Sequence, residues 1–545
     1  MAEKFEAIIN GEPFSFPNGT NLLKIHDAAV GETPCAMAAK LNGKLAELTQ
    51  SVDKDCTIEY LYPEKNEEAS RVYLRGLFFL LLRALKESMP GSRLDVAYML
   101  NRGVYCTIGD AQLTTHQIRI LEEKMKAYVK EGLPFTHRRM STDKAVEYFT
   151  KEGQTDKVRL LSFRPFDYFN MYEYDGVKNY FYGIMPPHAA CLSSFSLKPF
   201  EKGFLLIFPV PYIEGDKAFE EQPKMARIFY EAENWAQILE VAKVADLNEL
   251  VQNKGLTEFI RVNEALHEKK LSELANNICE REHARVVLIA GPSSSGKTTF
   301  ANRLKIHLRV HGKKCHPISI DNYYLDRDKI LLDETGKQDL ENITAIDTER
   351  FNEDILSLIG GRETVMPKFN FIKGKREDGQ TLQMGEDDIL IVEGIHGLNE
   401  RLSREIPAAY KYRVFIAPFC PLNLDDQNIV FPEDIRLLRR LVRDKLTRGY
   451  GFLDTLGVWE SVREGEFKYI LPYMENADAM FNSSLLYEAA ILKKFAYEEL
   501  NTLKTRSVRA NYLVKFLNYF VSCEEDDEIP KNSILREFIG NSCFY

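Results

Sequence analysis

Hydrophobic and polar positions alternate in short runs over residues 1 to about 62. The runs are punctuated by Asn10-Gly11, Asn18-Gly19 and Asn42-Gly43 and close on Cys56-Thr-Ile-Glu-Tyr-Leu-Tyr62, a pattern that predicts short strands joined by tight turns. From about 231 to 284 the apolar residues recur at helical spacing, interrupted only at Gly255, and predict helices that join a front half to a back half. There the β-branched run Val286-Val-Leu-Ile-Ala290 breaks into a glycine-bounded loop and is followed by a helix-forming stretch from Thr299 to Arg309. Two further strands are predicted over His316–Ile320 and Asp388–Val392, and an amphipathic helix over Arg436–Asp444. Beyond 485 the pattern is helical again, with the acidic run Glu524–Glu528 read as a solvated turn.

Composition narrows the class. A chain of 545 residues with 45% hydrophobic side chains is too long for one core, so two to four domains are expected. The longest apolar run, Leu77–Leu82, is far too short to span a membrane, and MAEKFEAIING carries no signal-peptide pattern, so a soluble cytoplasmic protein is expected. Nine cysteines from Cys35 to Cys543 form no C-x-x-C pair, which predicts reduced thiols with neither a disulfide framework nor a zinc knuckle. A net charge of −10 argues against a broad nucleic-acid surface, although a local basic patch would be hidden in that sum.

The chemistry begins after residue 285. The loop fits G-x-x-x-x-G-K-[ST] as Gly291, Pro292, Ser293, Ser294, Ser295, Gly296, Lys297 and Thr298, followed by Thr299. Between a strand and a helix such a loop cradles phosphates: its amides supply positive partial charge, Lys297 reaches the β and γ phosphates, and Thr298 is a candidate Mg2+ ligand. The second strand ends at Asp321, and the later one at Glu393. In an open parallel sheet both carboxylates reach the ligand crevice, as Mg2+ binding and activation of a hydroxyl acceptor require.

Several stretches resemble known families. GPSSSGKTTF, SIDNYY, DLENITAID, VMPKFNF, LIVEGIHGL and DIRLLRRLVRDKLTRGY with YILPYMENAD are similar, in order and spacing, to the uridine kinase and phosphoribulokinase group. The resemblance implies an ATP- and Mg2+-dependent kinase with a parallel-sheet P-loop fold over 285–484. It makes Asp321 the general base and a metal partner, and Glu393 a metal ligand. Glu341 falls where nucleoside kinases grip the ribose hydroxyls with an aspartate. Tyr323 and Phe369 are placed at the acceptor, with Arg440, Arg443 and Arg448 in a lid that closes on the phosphates. Where uridine or cytidine kinases carry a tyrosine and a histidine around the base, this chain has Phe369 and Gly374, and Tyr450 replaces a further lid arginine.

The front half is similar to the front of threonyl-tRNA synthetases. Residues 1–62 resemble the β-grasp TGS domain, and 63–230 the α+β editing domain that hydrolyses mischarged tRNA. The histidine pair of that domain aligns with Arg75 and Phe79, and only His188 remains of its second pair, so its chemistry is expected to be lost. The expected organisation is multi-domain: β-grasp, editing-like α+β domain, a helical linker over 231–284, an α/β kinase over 285–484 and a helical extension over 485–545. The expected reaction is γ-phosphoryl transfer to a hydroxyl of a nucleoside or related sugar. A sugar-phosphate kinase and a tRNA-binding regulatory protein with a nucleotide switch are the alternatives. RNA contact through the front half and homo-oligomerisation stay open, and no membrane partner is expected.

Overall fold

The computed structural model describes residues 3–213, 221–330 and 338–545; residues 214–220, inside the expected 63–230 domain, lie outside that description. The first strands form a five-stranded mixed sheet in the order Glu12–Pro17, Lys4–Ile9, Cys56–Leu61, Ala38–Leu41, Lys44–Ala46. The helix Leu22–Ala29 buries Leu22 and Ile25 in the same core. The alternating exposure of Lys4–Ile9 is the two-residue period of a strand with one face on that core.

A 22-residue helix, Glu67–Ser88, follows, capped by the Asn66 side chain on the amides of Glu68 and Ala69. It is buried on nearly every side in its first four turns and packs in the core of a four-stranded antiparallel sheet ordered Ser196–Phe200, Gly203–Ile207, Gly103–Ile108, Leu94–Leu100. The sequence reading predicts no disulfide, but the structure pairs Cys35 with Cys191, 156 residues apart and 5.5 Å between Cα atoms. Cysteine spacing carries no trace of a pairing between a loop and a 3-10 turn this distant in sequence.

Three helices, Pro223–Ile238, Val244–Gln252 and Leu256–Glu280, lead into the back half. Its sheet is parallel: β1 (Val286–Ala290), β2 (Cys315–Ser319), β3 (Ile389–Glu393), β4 (Lys411–Ala417) and β5 (Ala479–Asn482), in the order β2-β3-β1-β4-β5. β1 is buried at all five positions, which is why it reads as a continuous apolar run rather than an alternating one. Helix α1 (Lys297–Val310) follows β1, α2 (Pro432–Arg443) follows β4, and α3 (Phe452–Tyr469) leads towards β5.

The two halves share buried charges. Arg71, on the front helix, donates two hydrogen bonds of 3.0 Å to the carboxylate of Asp434 in the first turn of α2. Glu67 accepts from Arg463 of α3 at 2.7 Å and from Arg509 at 2.8 Å. The front half therefore docks directly on the helix that carries the arginines next to the loop.

Candidate active site

β1 stops at Gly291 because the chain must turn tightly there: a Cβ on Gly291 would lie 2.0 Å from the carbonyl oxygen of Ile416. Gly296 has φ +87°, the left-handed region that favours glycine, and it starts α1. Between them the loop wraps around its own lysine. Lys297 Nζ donates to the carbonyls of Gly291 at 2.9 Å and Pro292 at 3.2 Å. Burial lowers the Lys297 ammonium below its ordinary value, while the carboxylates of Glu393, Asp321 and Glu537 oppose that shift. The hydroxyls of Ser294 and Ser295 are buried and have no hydrogen-bond partner among the described residues. Unpartnered donors beside the first amides of a helix fit a phosphate chain.

β2 and β3 are parallel neighbours, with Ser319 opposite Glu393. Their carboxyl ends bring Asp321 and Glu393 into one cleft of about 1300 Å³ with the loop, Thr298 and Glu341. Burial raises Glu393 to about 7 against the pull of Lys297, and Asp321 is raised by burial against Lys297 and Arg448. Two oxygen-rich side chains and the Thr298 hydroxyl are the donors that a hard divalent cation takes. These residues would hold Mg2+, which would neutralise charge on a bound polyphosphate.

α2 and the turn Asp444–Arg448 after it supply cations to the same cleft. Arg440 donates to the Ser293 hydroxyl at 2.9 Å, and Arg443 and Arg448 line the cleft beside the carboxylate of Asp444. The helix is not a solvated face: Arg436 and Arg439 are 3% and 0% exposed, and donate to the carbonyls of Ser293 at 3.0 Å and Ser294 at 3.4 Å. The sequence reading does not single out these two arginines. They brace the loop through its carbonyls; the spacing Arg436, Arg439, Arg440, Arg443 puts all four arginines on one helix face and so gives no sign of which pair is buried.

The structure separates the residues expected at the acceptor: Tyr323 lies in the core, and Glu341 lines the cleft. Tyr323 is fully buried, packs on Phe351 and has its hydroxyl 3.3 Å from Asp354. The next residue, Tyr324, lines the cleft, because Ile320–Tyr323 is a single 3-10 turn that directs successive side chains to different sides. Phe369 is 7% exposed and packs at a tilt behind Tyr324 with ring centroids 5.7 Å apart. Gly374 sits in a turn at φ +63°, with Arg327 Cδ 2.5 Å from where its Cβ would be. Glu341 lines the cleft, and its backbone stretch is held by α3: Tyr469 donates to Asp339 at 2.6 Å, and a Cβ on Gly465 would meet Glu341 Cβ at 2.9 Å.

The expected C-terminal extension also reaches the cleft, through Asp527, Lys531, Arg536, Glu537, Asn541 and Tyr545. Glu537 accepts hydrogen bonds from the amide of Thr299 at 3.2 Å and its hydroxyl at 2.8 Å. In the front half, Arg75 is buried and donates to the Ile184 carbonyl at 2.8 Å, and Phe79 is fully buried among aromatic rings. His188 lies beside the Cys191 sulfur at 3.7 Å. No helix of the described residues is long and apolar enough to cross a membrane.

Comparison with known proteins finds separate likenesses for the front and the back of the chain. A uridine kinase of Limosilactobacillus reuteri is 28% identical over 173 residues, 32% of this chain and 71% of its own. A threonine–tRNA ligase of Desulforamulus reducens is 28% identical over 160 residues, 29% of this chain; the match spans about a quarter of the ligase's length, 25%. A solved D-glycerate 3-kinase from Cryptococcus neoformans aligns with a TM-score of 0.20 and 14% identity, covering 53% of this chain and 88% of that one. The front of the chain is similar to threonine–tRNA ligases, and residues 286–485, which carry the phosphate loop, both strand-end carboxylates and the α2 arginines, match the Phosphoribulokinase / Uridine kinase family.

Proposed function

We propose that the protein is an ATP- and Mg2+-dependent kinase that transfers the γ-phosphoryl group to a hydroxyl of a nucleoside or related sugar. The observation that carries this reading is the placement of Asp321 and Glu393 at the ends of adjacent strands around Lys297, within one cleft. A binding protein that only senses a nucleotide needs one carboxylate for the metal; a second one supplies a base for an acceptor hydroxyl. In this reading Asp321 receives the acceptor proton and Glu393 and Thr298 hold the metal. Lys297, Arg440, Arg443 and Arg448 hold the phosphates, with Gly291, Pro292, Ser293, Ser294, Ser295, Gly296 and Thr299 forming the cradle. Glu341 is the group for the acceptor's vicinal hydroxyls, and the aromatic wall at the acceptor is Tyr324, backed by Phe369.

Asp321→Asn tests this assignment. It keeps the shape of the cleft and removes the base, so kcat should fall by about 10²–10⁴ with ATP affinity largely kept. A variant that loses only affinity contradicts the role given to Asp321.

The front half is proposed to be catalytically silent, because Arg75 and Phe79 are packed into the core where a hydrolytic histidine pair would be needed. Deacylation of mischarged threonyl-tRNA by the full chain would overturn this. RNA binding without hydrolysis is compatible with it.

A further inference from the structure

The amide of Thr299 belongs to the first turn of α1, where backbone N–H groups have no intrahelical acceptor and attract anions. In a loop of this pattern those amides cradle the nucleotide's α and β phosphates. Here that place is taken. Glu537 Oε2 accepts from the Thr299 amide at 3.2 Å and from its hydroxyl at 2.8 Å, and the Tyr545 hydroxyl lies 3.1 Å from the same Thr299 oxygen.

The carboxylate is presented by an anchored piece of chain. Glu537 lies in the short helix Arg536–Ile539, whose neighbours Leu535, Phe538 and Ile539 are buried. Arg536 ties that turn down by donating to the carbonyls of Asp526 at 2.6 Å and Ile529 at 2.9 Å. Ile534 covers the loop itself: its Cγ2 lies 2.5 Å from where a Cβ on Gly296 would be. The backbone is anchored, whereas the Glu537 side chain is only half-buried and is held at Thr299 by the two hydrogen bonds to its carboxylate.

Building on the kinase reading, we propose that Glu537 is a competing residue of the donor site: its carboxylate holds the anion position at the start of α1, and a nucleotide's phosphate must displace it. Two anions cannot share the Thr299 amide. A ligand with a single phosphate offers little more than the carboxylate already there. A polyphosphate also engages Lys297 and Arg440, and so outcompetes it. Glu537 thereby raises the threshold for occupancy, which the further contacts of a polyphosphate help to meet.

Calorimetric titration of the full chain with ADP and, separately, with inorganic phosphate tests this, comparing the native protein with Glu537→Gln. The substitution keeps the shape and removes the charge. ADP should bind the variant more tightly by about twofold to thirtyfold, the range that an anion at a helix N-terminus contributes. Phosphate binding should strengthen in the same direction. Equal affinity for ADP in the two proteins overturns the proposal and leaves the kinase reading intact. Weaker ADP binding by the variant also overturns it, and makes Glu537 a partner of the bound nucleotide or its metal. Absence of ADP binding in both proteins, together with absence of turnover, defeats the kinase reading and this proposal with it.

Discussion

Lys297 Nζ donates to the carbonyl oxygen of Gly291 at 2.9 Å, so the cation of the phosphate loop is tied to the loop's own backbone. Its removal leaves two carbonyls at the edge of a solvent-filled cleft and relieves a buried ammonium that burial already disfavours. Lys297→Ala should therefore abolish turnover while leaving the thermal midpoint of the free protein near that of the native chain. Near-normal turnover contradicts the kinase reading, and a collapse in stability contradicts the local account.

Glu341 reaches the acceptor side of the cleft on a stretch braced by Tyr469 and Gly465. Glu341→Ala should lower kcat/KM by about 10–100-fold for every accepted nucleoside, the range for loss of a hydrogen bond to a charged group. The base should be read loosely, because Phe369 lies behind Tyr324 and Gly374 is locked in a turn against Arg327. A loss confined to one nucleoside would show that Glu341 reads the base instead.

Glu393 titrates at about 7 in the folded, metal-free protein against 4.5 ordinarily, with burial as the main cause. The folded state therefore binds the extra proton, and the stability that this group contributes falls as pH rises from 4.5 through 7. Glu393→Gln has no such titration. Its stability relative to the native chain should rise across that window by up to about 1.4 kcal/mol per pH unit, and level off above it. Urea unfolding of both proteins at acid and alkaline pH without metal reads the gap. A gap independent of pH contradicts the assignment.

Arg71 and Asp434 form a two-bond ion pair in which both side chains are nearly inaccessible, 4% and 2% exposed. Arg71→Ala leaves the Asp434 charge buried at the start of α2 with Tyr512 and the more distant Arg509 as remaining partners. A cost of about 3–5 kcal/mol is expected, together with a lower kcat, because α2 carries Arg440 and Arg443. Unfolding curves and turnover measured on the same preparation check both. Stability lost without any change in kcat would mean that the front half supports the fold alone.

The readable part of the site was local. A loop of defined spacing, a strand that ends in Asp321 and one that ends in Glu393 each lie within a few residues, so pattern and chemistry coincide. What escaped depends on contacts between distant segments. Arg436 and Arg439 look like any charges on an amphipathic helix until Ser293, Ser294 and Glu488 are seen to surround them. Tyr323 and Tyr324 differ by one position in a tight turn, which inverts which of them is buried. The contribution of Glu537 arises because the chain returns, 238 residues beyond Thr299, to the start of α1.

The central claim is phosphoryl transfer to a small-molecule hydroxyl. Its most direct test is ADP formation from ATP and Mg2+ by the full chain against a panel of nucleosides, sugars and sugar phosphates, with and without tRNA, in parallel with Asp321→Asn. ADP should appear in step with one phosphorylated nucleoside or sugar, and the variant should lose this turnover while it still binds ATP. ADP formation that no acceptor stimulates, or that depends on tRNA without any phosphorylated small molecule, would contradict the account.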